Sequence, residues 1–166
     1  MKLSRLSIFK SKKSSGWVEL EEMDDSEWLV PPSNKPPSVE EELCRWKNFD
    51  LVANDKEGFE SLQNHLKEER NEENLDFWKE CSMLEENWNE ARAQAVYKEF
   101  VVAEAPREVN LDCELRKLLA LSLTPNSIKV AQRQIAHLIE TDPFPRFLKT
   151  NAFHDFVLGK TWENIV

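Results

Sequence analysis

From residue 38 onward, the apolar residues recur at three- and four-residue spacings, and no stretch alternates apolar and polar long enough to make a strand. Phe59, Leu62 and Leu66 follow this rule, as do Leu75, Trp78, Cys81 and Leu84. So do Val96, Phe100 and Glu104; Leu115, Leu118 and Ser122; and Ala131, Ile135 and Leu138. Punctuation falls between these runs. Ser38 with Glu41 reads as a capping box, and Asn71 ahead of Glu72 and Glu73 as a helix start with acids in its first turn. Pro106 is expected to end the Tyr97 helix and Asp112 to cap the next. Ser127 is expected to cap the helix after the Thr124-Pro125 break, and Asp142-Pro143 reads as an N-cap with proline at N1. The pattern predicts one all-α domain over residues 38–162, built of eight or nine short helices.

The chain has 166 residues, enough for one domain with tails. Its glycines stand alone at 16, 58 and 159, so no glycine-rich phosphate loop is present. Cys44, Cys81 and Cys113 are odd in number and widely spaced, which disfavours a disulfide framework or zinc ribbon. His65, His137 and His154 form no metal-ligand spacing, so neither metal nor cofactor is expected. No serine or cysteine carries a nucleophile signature, so chemistry of the chain's own is not expected. No apolar run reaches the length of a membrane span, and the N-terminus has no secretory h-region.

Charge is segregated within the net −9. Residues 1–16 are a basic leader with Lys2, Arg5, Lys10, Lys12 and Lys13 and no acid. Leu3, Leu6 and Phe9 interleave with these bases, which suits weak docking to an anionic membrane face, while the small size of that apolar side favours a polar tail. Residues 17–37 are an acidic, proline-rich linker whose Pro31-Pro32 and Pro36-Pro37 pairs stop helices. Trp17 and Trp28 are out of character there, and packing on the domain or on a partner fits both. The acidic body disfavours nucleic acid as a partner.

Physical chemistry alone thus points to an acidic helical binding module. Four ordered segments say more. They are Arg45-Trp46 with Phe49; Glu72-Glu73-Asn74-Leu75-Asp76-Phe77-Trp78 with Cys81; and Tyr97-Lys98-Glu99-Phe100 with Ala105-Pro106-Arg107-Glu108-Val109-Asn110-Leu111-Asp112. The last is Ala131-Gln132 through Ile135 and Leu138 to Asp142 and Pro145-Arg146-Phe147-Leu148-Lys149. Together they resemble the regulator of G-protein signalling (RGS) domain family over the whole presumed domain.

The resemblance implies an RGS-like fold of about nine helices, an antiparallel four-helix bundle with a subdomain of terminal helices. It implies a GTPase activator of heterotrimeric G-protein α subunits (Gα) that holds the switch regions of the GTP-bound form and supplies no catalytic group. The alternative is an adaptor of the same fold that binds without accelerating hydrolysis. The carried-over contact positions are Glu69, Asn71, Glu73, Asn74, Asn110, Leu138, Asp142 and Arg146. Asn110 is placed nearest the Gα glutamine that orients water, and a neutral amide there both donates and accepts.

Each has a local reading as well: Asn71 and Glu73 as a helix start, Asn110 as an Asx-turn residue, Asp142 as an N-cap, Arg146 as a surface ion pair. A buried Asp142–Arg146 pair that orients the loop is also expected. Cys81 falls where many members carry a lipidated cysteine, and a small buried core residue is the competing expectation. The chain departs from the family at Arg70, where an aromatic is frequent, and at Asn71 and Pro143, where serine is common. Localisation is expected to be cytoplasmic, peripheral to the plasma membrane through the leader.

Overall fold

The computed structural model describes residues 37–163, with the side chains of the last two left out. The leader, the linker up to residue 36, Trp17 and Trp28 lie outside the described residues. Among the described residues nine helices follow in order: α1 (Val39–Arg45), α2 (Phe49–Asn54), α3 (Lys56–Glu68), α4 (Glu72–Glu86), α5 (Glu90–Phe100), α6 (Cys113–Leu121), α7 (Pro125–Thr141), α8 (Pro143–Phe147) and α9 (Asn151–Glu163). Among the described residues there is no strand.

Side-chain caps set most helix starts. Ser38 and Glu41 form the reciprocal capping box on α1. Asn48, Asp55, Asn89 and Asp112 each accept the backbone N–H three residues on. Two boundaries differ from expectation. α7 begins one turn early: Thr124 is its N-cap, Pro125 sits at N1, and Ser127 is the partner at N3. Ser127 is buried, and its hydroxyl donates to the Ser122 carbonyl at 2.8 Å. α5 stops at Phe100, short of Glu104 and Pro106, because Arg107 N–H takes the Glu99 carbonyl and Val109 N–H the Phe100 carbonyl. The chain folds back over the helix end before proline can act.

Helices α4 to α7 form the bundle. α4 packs on both α5 and α7, and α6 on α7. The tight connections at 87–89 and 122–124 make the α4–α5 and α6–α7 neighbours antiparallel. Gln132 is buried in this seam and donates to the Trp78 carbonyl at 3.1 Å and to Ser82 Oγ at 2.7 Å, which fixes α7 against α4. The terminal helices form a second layer in which α3 meets α2, α8 and α9, and α1 meets α9. Gly58 permits the α2–α3 approach: a Cβ there would lie 2.6 Å from the Val52 carbonyl oxygen. A run of aromatic contacts joins the layers, from Phe49 to Trp78 and Phe144, then Phe147 to Phe153. Phe77, Phe147 and Phe153 are fully buried, each contributing on the order of 2–3 kcal/mol by removal from water. Phe144 and Phe147 anchor α8 from below, which leaves Asp142 and Arg146 on its outer side.

Candidate functional site

A cleft of about 200 Å³ opens where three connections meet: α3 to α4, α5 to α6, and α7 to α8. Asn71, Glu73, Asn74, Asn110, Leu138 and Asp142 all line it, together with Glu108, Ile139 and Pro143. Glu69 and Arg146 do not line it but are joined to its rim through Asp142.

The α3–α4 connection is a tight backbone turn. Arg70 N–H donates to the Lys67 carbonyl at 3.1 Å and Asn71 N–H to the Leu66 carbonyl at 2.9 Å. This is the paired bonding of a Schellman stop, with Arg70 in the left-handed position at φ 55° where glycine is usual. Asn71 therefore enters α4 at the N-cap position, yet its side chain caps nothing. Its Oδ1 accepts the amide of Asn74 instead. Asn74 is only 7% exposed, and its own Oδ1 has no hydrogen-bond partner among the described residues. A buried acceptor left open in this way costs free energy in the isolated protein. Glu73 is half-buried, with no side-chain hydrogen bond among the described residues.

Arg146 braces the rim from behind Asp142. Its Nε and Nη2 each donate to the Glu69 carboxylate at 2.8 Å, while Nη1 and Nη2 donate to Asp142 at 2.5 and 3.1 Å. One guanidinium thus forks onto two carboxylates and ties α8 back to the end of α3. The pair expected to be buried is exposed: the Asp142 and Arg146 side chains are 70% and 46% accessible. Its strength comes from geometry rather than from desolvation. The Arg146 hydrogen bonds hold both carboxyls below their ordinary values, and the two acids raise the arginine. His65 adds a smaller pull on Glu69, its Nε2 standing 3.4 Å from Oε1 without hydrogen-bond geometry. Asp142 occupies the N-cap position of α8 but gives its side chain to Arg146 rather than to a cap.

The α5–α6 connection presents Asn110, which is exposed and makes no side-chain hydrogen bond among the described residues. The Asx-turn reading therefore does not hold. The flanking Val109 and Leu111 are buried. Arg107 reaches across to Asp76 of α4, whose second oxygen accepts from Gln63 at 2.6 Å, and its guanidinium lies over the Phe100 ring. Sequence reasoning placed Asp76, Arg107 and Glu108 in matched motifs but gave them no part in the site. Ile139 carried no signal beyond its place beside Leu138.

Cys81 stands apart, inside the bundle. It is fully buried, and burial pushes its thiol up, so in this conformation the sulfur is neither reachable nor nucleophilic.

The segments that build this cleft all fall within residues 48–156, which match the model of the Regulator of G protein signaling domain. The chain belongs to the RGS family. Regulator of G-protein signaling 16 of Bos taurus is 34% identical, over 95% of this chain and 82% of the relative. Its Mus musculus counterpart is 36% identical over 92% and 79%. Regulator of G-protein signaling 8 of Danio rerio is 32% identical over 81% and 84%. The all-helical RGS architecture follows from this membership and from the helices described above. No described helix is long and apolar enough to cross a membrane.

Proposed function

We propose that this RGS domain is a GTPase activator: it binds the switch regions of a GTP-bound Gα subunit and holds them in the geometry of hydrolysis, so ending the signal. The observation that carries this reading is the convergence of Asn71, Glu73, Asn74, Asn110, Leu138 and Asp142, from three separate connections, on one cleft. Gα carries its own arginine in cis and its own water-orienting glutamine. What remains for a partner is to restrict mobile groups, an effect of positioning and electrostatic preorganisation. The cleft is suited to this. The exposed Asn110 amide is free to both donate and accept beside the Gα glutamine, and Asn74 lines the cleft with its Oδ1 buried and unpaired, an acceptor that a switch N–H would satisfy once the side chain turns outward. Asp142, pinned by Arg146, is a fixed acceptor for the other switch. The leader, with Lys2, Arg5, Lys10, Lys12 and Lys13, would hold the domain at an anionic cytosolic membrane face where Gα resides.

Single-turnover GTP hydrolysis by inhibitory-class and q-class Gα tests the reading. Wild type is expected to accelerate at least one of them. Asn74→Ala and Asn110→Ala are each expected to reduce the acceleration by about tenfold or more, with circular dichroism unchanged. Acceleration that survives both substitutions would reject this surface. Binding to activated Gα without acceleration would make the chain an adaptor, with Pro143 in the cleft the first residue to revert to serine.

A further inference from the structure

Resting on the function proposed above, we propose that Arg116 of α6 is the positioning residue of the site: its guanidinium sets the loop that presents Asn110. Arg116 lies outside the cleft lining and acts only through that loop.

Three contacts define its role. Nη1 donates to the Val101 carbonyl at 2.5 Å, Nη2 donates to the Val109 carbonyl at 3.1 Å, and Nη1 pairs with Glu108 Oε1 at 2.9 Å. The other Glu108 oxygen accepts the Glu104 N–H at 2.9 Å, where the backbone is left-handed at φ 58°. One side chain thus closes a circuit through both ends of the loop and its strained midpoint. The Val109 carbonyl belongs to the peptide that leads into Asn110 and also accepts the Leu111 N–H at 3.0 Å, so the bond from Arg116 locks the rotation of that peptide and the tight turn around Asn110 together. Burial of Val109 and Leu111 holds the loop down. Apolar burial is non-directional, however, and does not choose that rotation. The Asn110 side chain makes no bond of its own among the described residues, so its aim is set through its backbone. A planar fork reaching two carbonyls and a carboxylate is a task for arginine; the compact ammonium of lysine serves the ion pair alone. Pairing with Arg116 also offsets the charge of Glu108, which faces the cleft beside Asn110.

The test compares wild type with Arg116→Gln, Arg116→Lys, Asn110→Ala and the Arg116→Gln/Asn110→Ala double variant, with folding checked by thermal melts. The first readout is affinity for Gα loaded with GDP and aluminium fluoride, which mimics the transition state. Arg116→Gln is expected to weaken binding about tenfold, the scale of a misplaced contact, and to add nothing in the Asn110→Ala background. Arg116→Lys is expected to recover less than half of that loss. The second readout is amide hydrogen exchange at Val109 and Leu111, which is expected to speed by about tenfold in Arg116→Gln.

Full affinity in Arg116→Gln, an equal loss with and without Asn110, or unchanged exchange would each overturn the proposal. If Arg116→Gln fails to fold, the lysine variant carries both readouts. If wild type neither binds nor accelerates Gα, the function proposed above has failed. The exchange readout then decides separately whether Arg116 holds the loop.

Discussion

Two connections deliver asparagines to the same cleft and are held in different ways. The turn from α3 to α4 is fixed by backbone bonds no more than five residues apart, with Arg70 accepting a left-handed conformation to complete them. The loop from α5 to α6 has backbone bonds from Arg107 and Val109 to the end of α5, and is fixed beyond these by side chains from elsewhere: Arg116 from α6, Arg107 through Asp76 of α4, and Gln134 of α7, whose Oε1 accepts the Asp112 N–H at 3.5 Å. A turn held by its backbone survives the loss of any one side chain. A loop held by arginines has its geometry written in distant residues, so it is the part of the site most open to substitution.

The largest effect expected from breaking this contrast is at Asp76. Asp76→Ala leaves the part-buried Arg107 guanidinium and the Gln63 amide without their acceptor. The loss of stability is expected to be about 2 kcal/mol by urea denaturation. Exchange at Arg107 and Val109 should speed, while that at Arg70 and Asn71 should not. Equal acceleration in both connections would show that they are one mechanical unit.

Next comes Asn71→Ala, expected to lose about 1 kcal/mol. Since Asn71 caps nothing, the loss arises from leaving the buried Asn74 amide without its acceptor. It should therefore vanish in an Asn74→Ala background. A loss that persists there would mean that Asn71 stabilises the helix start itself.

The same contrast governs what was legible in the sequence. The helices and the caps at Ser38 and Asp112 were readable because a cap and its target lie three residues apart, whereas the caps at Asn48, Asp55, Asn89 and Thr124 passed unnoticed. The end of α5 was misread because Phe100, Val101 and Glu104 keep helical spacing. What stops the helix is a return of the chain from Arg107 and Val109, which no short window contains. The site was legible only as an ordered set of motifs: Asn110 by itself looks like any turn asparagine. Arg116 was not legible at all, because two of its partners are carbonyl groups and a carbonyl leaves no mark in a sequence.

The clamp of Arg146 on Glu69 tests whether the short turn depends on charge. Both carboxyls are depressed in the folded protein, chiefly by hydrogen bonds from Arg146. Their contribution is therefore complete above the ordinary values of 4.5 and 3.8 and is lost as pH falls through the lower folded values. Carboxyl carbon shifts should titrate with midpoints below 4.5 for Glu69 and 3.8 for Asp142, and both midpoints should rise in Arg146→Gln. The Arg70 and Asn71 amides should stay in place throughout, since their bonds are to backbone. Movement of those amides with the titration would make the turn as dependent on side chains as the long loop.

The smallest effect expected is a gain. Arg70 and Glu104 are the non-glycine residues of the described chain at positive φ, one in each connection. Arg70→Gly relieves the Cβ strain while the flanking helices and both Schellman bonds hold the new glycine in place. The unfolded chain gains freedom in exchange, so the net stabilisation is about 0.5 kcal/mol, or roughly 2 °C in Tm. Glu104→Gly relieves the same strain and keeps its backbone donor to Glu108. The added freedom there falls in a longer loop that relies on side chains as well as on backbone bonds, so its gain should be smaller or absent. If the two gains are equal, Arg116 and Glu108 restrain position 104 as firmly as helix termini restrain position 70, and the difference drawn between the connections disappears.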